Sequence, residues 1–494
     1  MSTTAKQPGL SKSRVTAFEQ CPKRLWLQVN KRELAVVDAG AEARFATGHD
    51  VGEAACALFP DGIMIDAEPD LAAAVDTTAQ MVASSSRQVL FEATFVHQGV
   101  LVRVDVLEPL PDGSWHVAEV KSSTSRKDYH LGDLATQIWV LQQNNLSVSS
   151  AAIRHINNQF VLEQEGNYVG LFVDAQSLVE ISGLIKTRPE VVESARNTLL
   201  GPEPSRDIGQ HCVKPFSCEF HTYCSQNLEL PLWPVSILPY TGNRLAAEWA
   251  ERGILDLTDI PEGSFTNETH ARIHRATISG IPYHDAEGAR RATDGWIYPR
   301  IFLDFETIAF ALPRWLGNKP YEQAPFQFSA HIQQTDGAVE HREFLSLDGS
   351  DPRRACARAL LEHIPTEGTI IAYAAGFERG CINRLAEIFP DIGDALRQIS
   401  SRVVDLLPVT RNHWYHRDQR GSWSIKSVLP SISETLDYKT LSVSQGAEAQ
   451  AAYMEAINPE TTTQRRAQID RDLRIYCGQD TEAMMVLMHR LLGE

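Results

Sequence analysis

The sequence predicts an α/β protein of two domains, and three observations carry that expectation. The chain has 494 residues, 43% of them hydrophobic and 8% aromatic, an ordered composition too long for one ordinary core. Residues 89–161 read as alternating strands about an Asp112-Gly113 turn, then a helix and one more strand. A second series of strands and helices starts near Tyr298, after a stretch that reads as a small helical connector.

Residues 1–10 are polar and expected to be disordered. Ser11 reads as the N-cap of a helix over "SKSRVTAFEQCPKRLWLQ", with Val15, Phe18, Leu25 and Trp26 as its apolar positions. A second helix is expected over about 40–58. The meander of strands follows, then a helix over about 130–144 and the strand "SAAIRHINNQFV". Residues 185–232 hold three clustered cysteines and several prolines. The connector, 233–297, contains a helix ending at Gly253. Beyond it come "RIFLDFETIAF", "APFQFSAHIQQ", "HREFLSL", the helix "DPRRACARALLEHI", the strand "GTIIAYAAGF", a helix at 378–388, "RVVDLLPV", and a last helix at 467–492. The expected organisation is thus a 1–10 tail, a domain over 11–232, the connector, and a domain over 298–494.

A net charge of −17 argues against a surface that attracts nucleic acid everywhere. A local basic groove remains compatible with it. Lys12 and Arg14, Lys23 and Arg24, Lys31 and Arg32, and Arg126 and Lys127 read as solvated faces. "MSTTAKQPGLSKSR" has no apolar core of a signal peptide, and no apolar run nears the ~20 residues of a membrane helix. The cytosol is the expected location, with no membrane partner. There, eight cysteines are no disulfide framework, and clustered ones bind metal more often.

In the first domain, Asp105 of "VRVDVLE" and Glu119 of "VAEVKSS" fall on consecutive strands. Lys121, two positions on, leaves the same face as Glu119. Two such carboxylates can hold a hard divalent cation, and the lysine can orient water or offset charge at a phosphate. Cys212, Cys218 and Cys224 repeat at a spacing of six, and Cys21 is the remote fourth candidate. Converging thiolates can bind zinc or an iron–sulfur cluster. Cys56, Cys356, Cys381 and Cys477 show no such pattern and read as core.

On these residues, 10–226 resemble the RecB-like branch of PD-(D/E)XK nucleases, especially the CRISPR-associated exonuclease group. The resemblance implies that His49 of "ATGHDVGEAA" adds a metal ligand and that Gln137 of "LATQIWVL" joins the catalytic set. The group's tyrosine four residues beyond the glutamine is Leu141 here. Glu92 of "FEATF" is a further polar candidate. The resemblance also implies a [4Fe–4S] cluster on Cys21, Cys212, Cys218 and Cys224, stapling two distant segments.

In the second domain, Asp304 and Glu306 of "FLDFET" share one strand face, and Tyr476 and Asp480 of "YCGQDTEAM" share one helix face. Glu378 follows a strand in "AYAAGFERG". Acids so distributed can hold two metal ions for phosphodiester cleavage. The pattern resembles the DEDD (DnaQ-like) 3′–5′ exonucleases, of RNase H-like fold, in their tyrosine variant. That family implies Asp304, Glu306 and Asp480 as Mg²⁺ or Mn²⁺ ligands and Tyr476 as the residue orienting the attacking water. Glu378 replaces the family's usual aspartate, and Asp405 is an alternative acid. The whole chain resembles a bacterial two-module family in "PYEQAPFQFSAHI" and "GSWSIKSVLP". Lys426 in the second segment either meets a phosphate or is a surface lysine, and Gln323 and Gln327 either line the cleft or cap strands. The expected function is a metal-dependent nuclease acting on DNA at single-stranded or frayed ends. An RNA-processing exonuclease and a nucleic-acid-binding scaffold with an inert module are the alternatives.

Overall fold

The computed structural model describes residues 9–36, 39–228, 230–433 and 436–494. The chain divides into two compact units, Met1–Leu228 with Phe310–Tyr321, and Glu229–Ala309 with Glu322–Glu494. Both are mixed α/β.

The first unit runs β1 (Leu10–Ser11), α1 (Lys12–Gln20), α2 (Pro22–Asn30), α3 (Ala39–Ala57), β2 (Ile63–Met64), α4 (Leu71–Ala83), β3 (Leu90–His97), β4 (Val100–Pro109) and β5 (Trp115–Lys121). It continues with α5 (Asp128–Gln143), β6 (Val148–Ile156), β7 (Phe172–Gln176), α6 (Ser182–Leu200) and α7 (His221–Ser225). The sheet order is β2-β3-β4-β5-β6-β7, with β1 parallel to β4. The meander β3–β4–β5 is antiparallel, whereas β6 joins β5 in parallel because α5 crosses between them. Val102, Val104, Val117 and Ile153 of the sheet pack with Leu134, Ile138 and Leu141 of α5.

Three expectations are corrected here. Most of the 1–10 tail lies outside the described residues, but Leu10 is buried and pairs with Val100. The single helix expected from Ser11 is two, each capped as the sequence allows. Ser11 does cap α1, but Pro22 starts α2 and holds Cys21 extended, at φ −161° and ψ 117°. The break turns Cys21 inward. The third is α4, which the sequence reading omitted although Asp70 caps it through Ala72 and Ala73.

The second unit begins with α8 (Gly242–Ala250), α9 (Glu268–Ser279), β8 (Tyr283–His284) and α10 (Ala286–Thr293). Then come β9 (Arg300–Ile308), β10 (Ala324–Gln333), β11 (Val339–Leu345), α11 (Arg353–His363), β12 (Thr369–Ala372), α12 (Gly376–Ile388), α13 (Gly393–Ser401) and β13 (Val403–Asp405). The unit ends with α14 (Leu406–His413), β14 (Trp414–Tyr415), α15 (Ile425–Val428), α16 (Gly446–Ile457) and α17 (Thr463–Leu492). The main sheet has the order β11-β10-β9-β12-β13. β9, β12 and β13 are parallel, and β10 and β11 are antiparallel additions. The expected connector belongs to this unit's core: Val235, Leu257 and Ile273 bury with Phe302, Leu406, Met484 and Leu487. Gln327 fixes α17 to the sheet through a 2.8 Å bond from its Nε2 to the Leu473 carbonyl. No helix among the described residues is long and apolar enough to cross a membrane.

Candidate functional site

The second unit brings three acids together. Asp304 and Glu306 alternate on β9, and Asp480 projects from α17, with one oxygen of each within 4.8 Å of the others. Glu306 and Asp480 are each 8% exposed. Like charges confined in a dry site resist ionisation. Burial, then Asp480, raises the Glu306 carboxyl to about 8. Burial, then Asp480, Glu306 and Glu378, holds Asp304 well above the carboxylate range. Burial lifts Asp480 to about 6, against hydrogen bonds from Tyr438 and Tyr476 and the charge of Lys426.

Glu378 stands in the first turn of α12, 3% exposed, with Oε2 unpartnered. Burial, with a contribution from Asp405, raises it to about 7. It is near enough to act on Asp304 but outside the three-acid cluster. Asp405 has another task. Its Oδ1 accepts from Leu407 N and Ala374 N, both at 3.0 Å, so it caps α14 and fixes the turn before α12. Lys426 is neither free nor a surface lysine: it donates to the Tyr476 hydroxyl at 2.8 Å and to the Ser444 carbonyl at 2.7 Å. Gln323 accepts from Thr307 at 2.7 Å and so ties two strands. The sequence reading missed Tyr438, whose hydroxyl donates to Asp480 Oδ1 at 2.6 Å. "LDYKT" carries no pattern that could have flagged it.

In the first unit, Glu119 is 1% exposed and engaged on both oxygens. Lys121 Nζ lies 2.7 Å and Lys12 Nζ 2.6 Å from Oε1, and Gln137 Nε2 donates to Oε2. Lys121 also reaches Asp133 at 3.3 Å. Burial works to raise Glu119, but the two ammoniums outweigh it and hold the carboxylate well below its usual range. Asp105 accepts from Val120 N at 2.7 Å; burial and Glu119 raise it to about 7. Lys12 is therefore no solvated residue. Ser11 starts α1 beside β4, which delivers Lys12 to the carboxylates. His49 does not join them: it is exposed on α3 and pairs with Glu53 at 3.1 Å. Glu92 pairs with Arg103 at 3.0 Å. Two buried carboxylates already attended by ammonium charge fit a divalent cation only where Lys12 withdraws.

The four flagged cysteines line one small cavity, with Lys23, Arg24 and Arg206 among its walls. None of the four is in a disulfide. Cys218 N donates to the Cys212 carbonyl at 2.8 Å, and Gln20 clasps the loop through the His211 and Phe216 carbonyls at 2.7 Å each. Burial raises the Cys218 thiol to about 11. A tetrahedral zinc would set sulfurs about 3.8 Å apart. Among the described residues no three cysteine sulfurs lie within 4.8 Å of one another. Asp207 lines the same cavity, and Lys23 and Arg24 pair with Glu203 at 3.1 Å and Glu219 at 2.9 Å.

Comparison with known proteins adds a domain of unknown function (DUF2779), matched by residues 301–424. The chain is 25% identical to the uncharacterized protein UU173 of Ureaplasma parvum over 38% of its own length and 30% of that protein's. It is 24% identical to the uncharacterized MG366 homolog of Mycoplasma pneumoniae, over 38% and 31% of the two lengths. The match thus spans about a third of these relatives. No solved structure matches.

Proposed function

We propose that the protein is a metal-dependent nuclease that hydrolyses phosphodiester bonds, of DNA before RNA, at Asp304, Glu306 and Asp480. One observation carries this reading: three carboxylates converge within 4.8 Å in a largely buried site. Such an arrangement is costly unless a cation is shared among them. The Tyr476–Asp480 pair and the strand order about β9 support a DnaQ-like 3′–5′ exonuclease of RNase H-like fold. A Mg²⁺ or Mn²⁺ ion on these oxygens supplies Lewis-acid charge to the phosphate and lowers the pKa of a water. The chain's own groups do the positioning. Tyr438 and Tyr476 both hydrogen-bond Asp480, and Lys426 holds the Tyr476 oxygen, which fixes that hydroxyl beside the acids where a water would be oriented.

On the same reading the first unit is a RecB-like PD-(D/E)XK module. Asp105 and Glu119 are its ligands, Gln137 fixes Glu119, and Lys121 offsets phosphate charge. Cys21, Cys212, Cys218 and Cys224 hold a [4Fe–4S] cluster, supported by the convergence of these four sequence-distant cysteines on one cavity.

The test uses the full chain with 5′-labelled DNA and RNA strands and either metal. A ladder of shortened products is expected, lost in Asp480→Ala at the second unit. Folded wild-type protein that leaves every strand intact ends the reading.

A further inference from the structure

The second unit also contains an open cleft of about 440 Å³, whose walls include Tyr240, Tyr373, Ala374, Arg411, Trp423 and Ile425. Its place in the fold is informative. Tyr373 and Ala374 directly follow β12, and Leu407, also in its wall, follows β13. Clefts outside the carboxyl ends of parallel strands are where open α/β sheets bind ligands. The same segments lead into the acid centre. Ala374 accepts from Phe377 N at 3.2 Å to open the helix of Glu378, and Ile425 precedes Lys426.

The lining has a specific chemistry. Tyr240, Tyr373 and Trp423 offer aromatic surface, and no carboxylate lines the cleft although the chain carries a net charge of −17. The Arg411 guanidinium has no ion-pair partner among the described residues. The walls are also held in place. The Tyr373 hydroxyl donates to the Trp423 carbonyl at 2.5 Å. Ala374 is kept at φ +67° by its bond to Asp405. Gly421 is required by close approach, since a Cβ there would lie 1.8 Å from the Ile237 carbonyl. Tyr240 is 87% exposed at φ +65°, an aromatic ring presented to solvent at the rim. Aromatic faces beside one unpaired guanidinium suit a planar ring linked to a phosphate.

We infer that this cleft is a nucleotide subsite, in which a base of a single strand stacks on the aromatic wall and its phosphate meets Arg411. The inference rests on the nuclease reading for the strand's reacting end.

The experiment measures binding by the full chain in EDTA, where no cleavage occurs. The probes are ten-nucleotide DNA and RNA strands with 2-aminopurine at each of the last three positions in turn. Wild type and Asp480→Asn should quench the fluorescence at one or more of these positions. Tyr240→Ala and Arg411→Gln, with unchanged melting, should lose the quench and bind at least about 5-fold more weakly, the lower range of base–aromatic stacking. Quenching by neither wild type nor Asp480→Asn, or equal quenching and affinity in both cleft variants, overturns the subsite. Loss of the quench in Asp480→Asn alone moves the base to the acid centre and also overturns it. The nuclease reading is judged separately, by cleavage in Mg²⁺.

Discussion

Asp480→Asn should make the metal-free protein more stable while abolishing its response to metal. Glu306 stands at about 8 in the fold against 4.5 for the free carboxyl. Below pH 4.5 both states hold the proton, so the carboxyl then favours neither. Above it the unfolded chain ionises first, while the folded carboxyl keeps its proton to about pH 8. Folding therefore takes up a proton, and stability falls as pH rises through that window. At pH 7 the loss through Glu306 is about 3 kcal/mol, from ~1.4 kcal/mol per pKa unit. Burial is the larger cause and Asp480 the second, so removing the Asp480 charge should restore the smaller part of that loss. Asparagine can still accept from Tyr438. Tm at pH 8 should rise, by about 2–4 °C for each kcal/mol restored. The assay is thermal melting of the full chain at pH 5 and pH 8, in EDTA and in Mn²⁺. Wild type should melt lower at pH 8 than at pH 5 in EDTA and recover in Mn²⁺. At a hundredfold excess over Kd the ion should add about 2.7 kcal/mol. If Asp480→Asn melts below wild type at pH 8 in EDTA, or keeps the full Mn²⁺ gain, the argument for a cation-seeking site is refuted.

Four further outcomes are expected. Protein purified without air should be brown with about four irons per chain, and Cys218→Ala should be colourless; stoichiometric zinc without iron would replace the cluster by a structural zinc site. In an Asp480→Asn background, Glu119→Ala and Lys121→Ala should each lower the remaining cleavage at least ~100-fold without unfolding the chain; unchanged cleavage would make the first centre a structural ion-pair network. In that background Lys12→Met should shift the Mn²⁺ activation midpoint to lower concentration, because an ammonium 2.6 Å from Glu119 competes with the ion; an unmoved midpoint would show that the two do not compete. In the intact chain, Tyr476→Phe should slow 3′ degradation yet leave the Mn²⁺ gain in Tm unchanged, and a lost gain would make the tyrosine part of the ion's support.

The sequence by itself determined what depends on local chemistry. Alternation and the Asp112-Gly113 turn specify the meander, and Gly113 takes φ +86° as that turn requires. Two-residue spacing puts Asp304 and Glu306 on one face of β9, and the sixfold cysteine repeat marks one loop. Tertiary structure decided which distant groups meet. Lys12 looks like any solvated lysine until β1 pairs with β4 and carries it to Glu119. His49, in a promising motif, is turned to solvent because the exposed face of α3 carries it. Tyr438 and Lys426 join Asp480 and Tyr476 only because α17 packs over the sheet. The connector's apolar residues look like a linker's until they bury with Phe302 and Leu487. Spacing along a strand or helix fixes direction within one element. Contact between elements is set by which apolar faces exclude water together, and that depends on the whole chain at once.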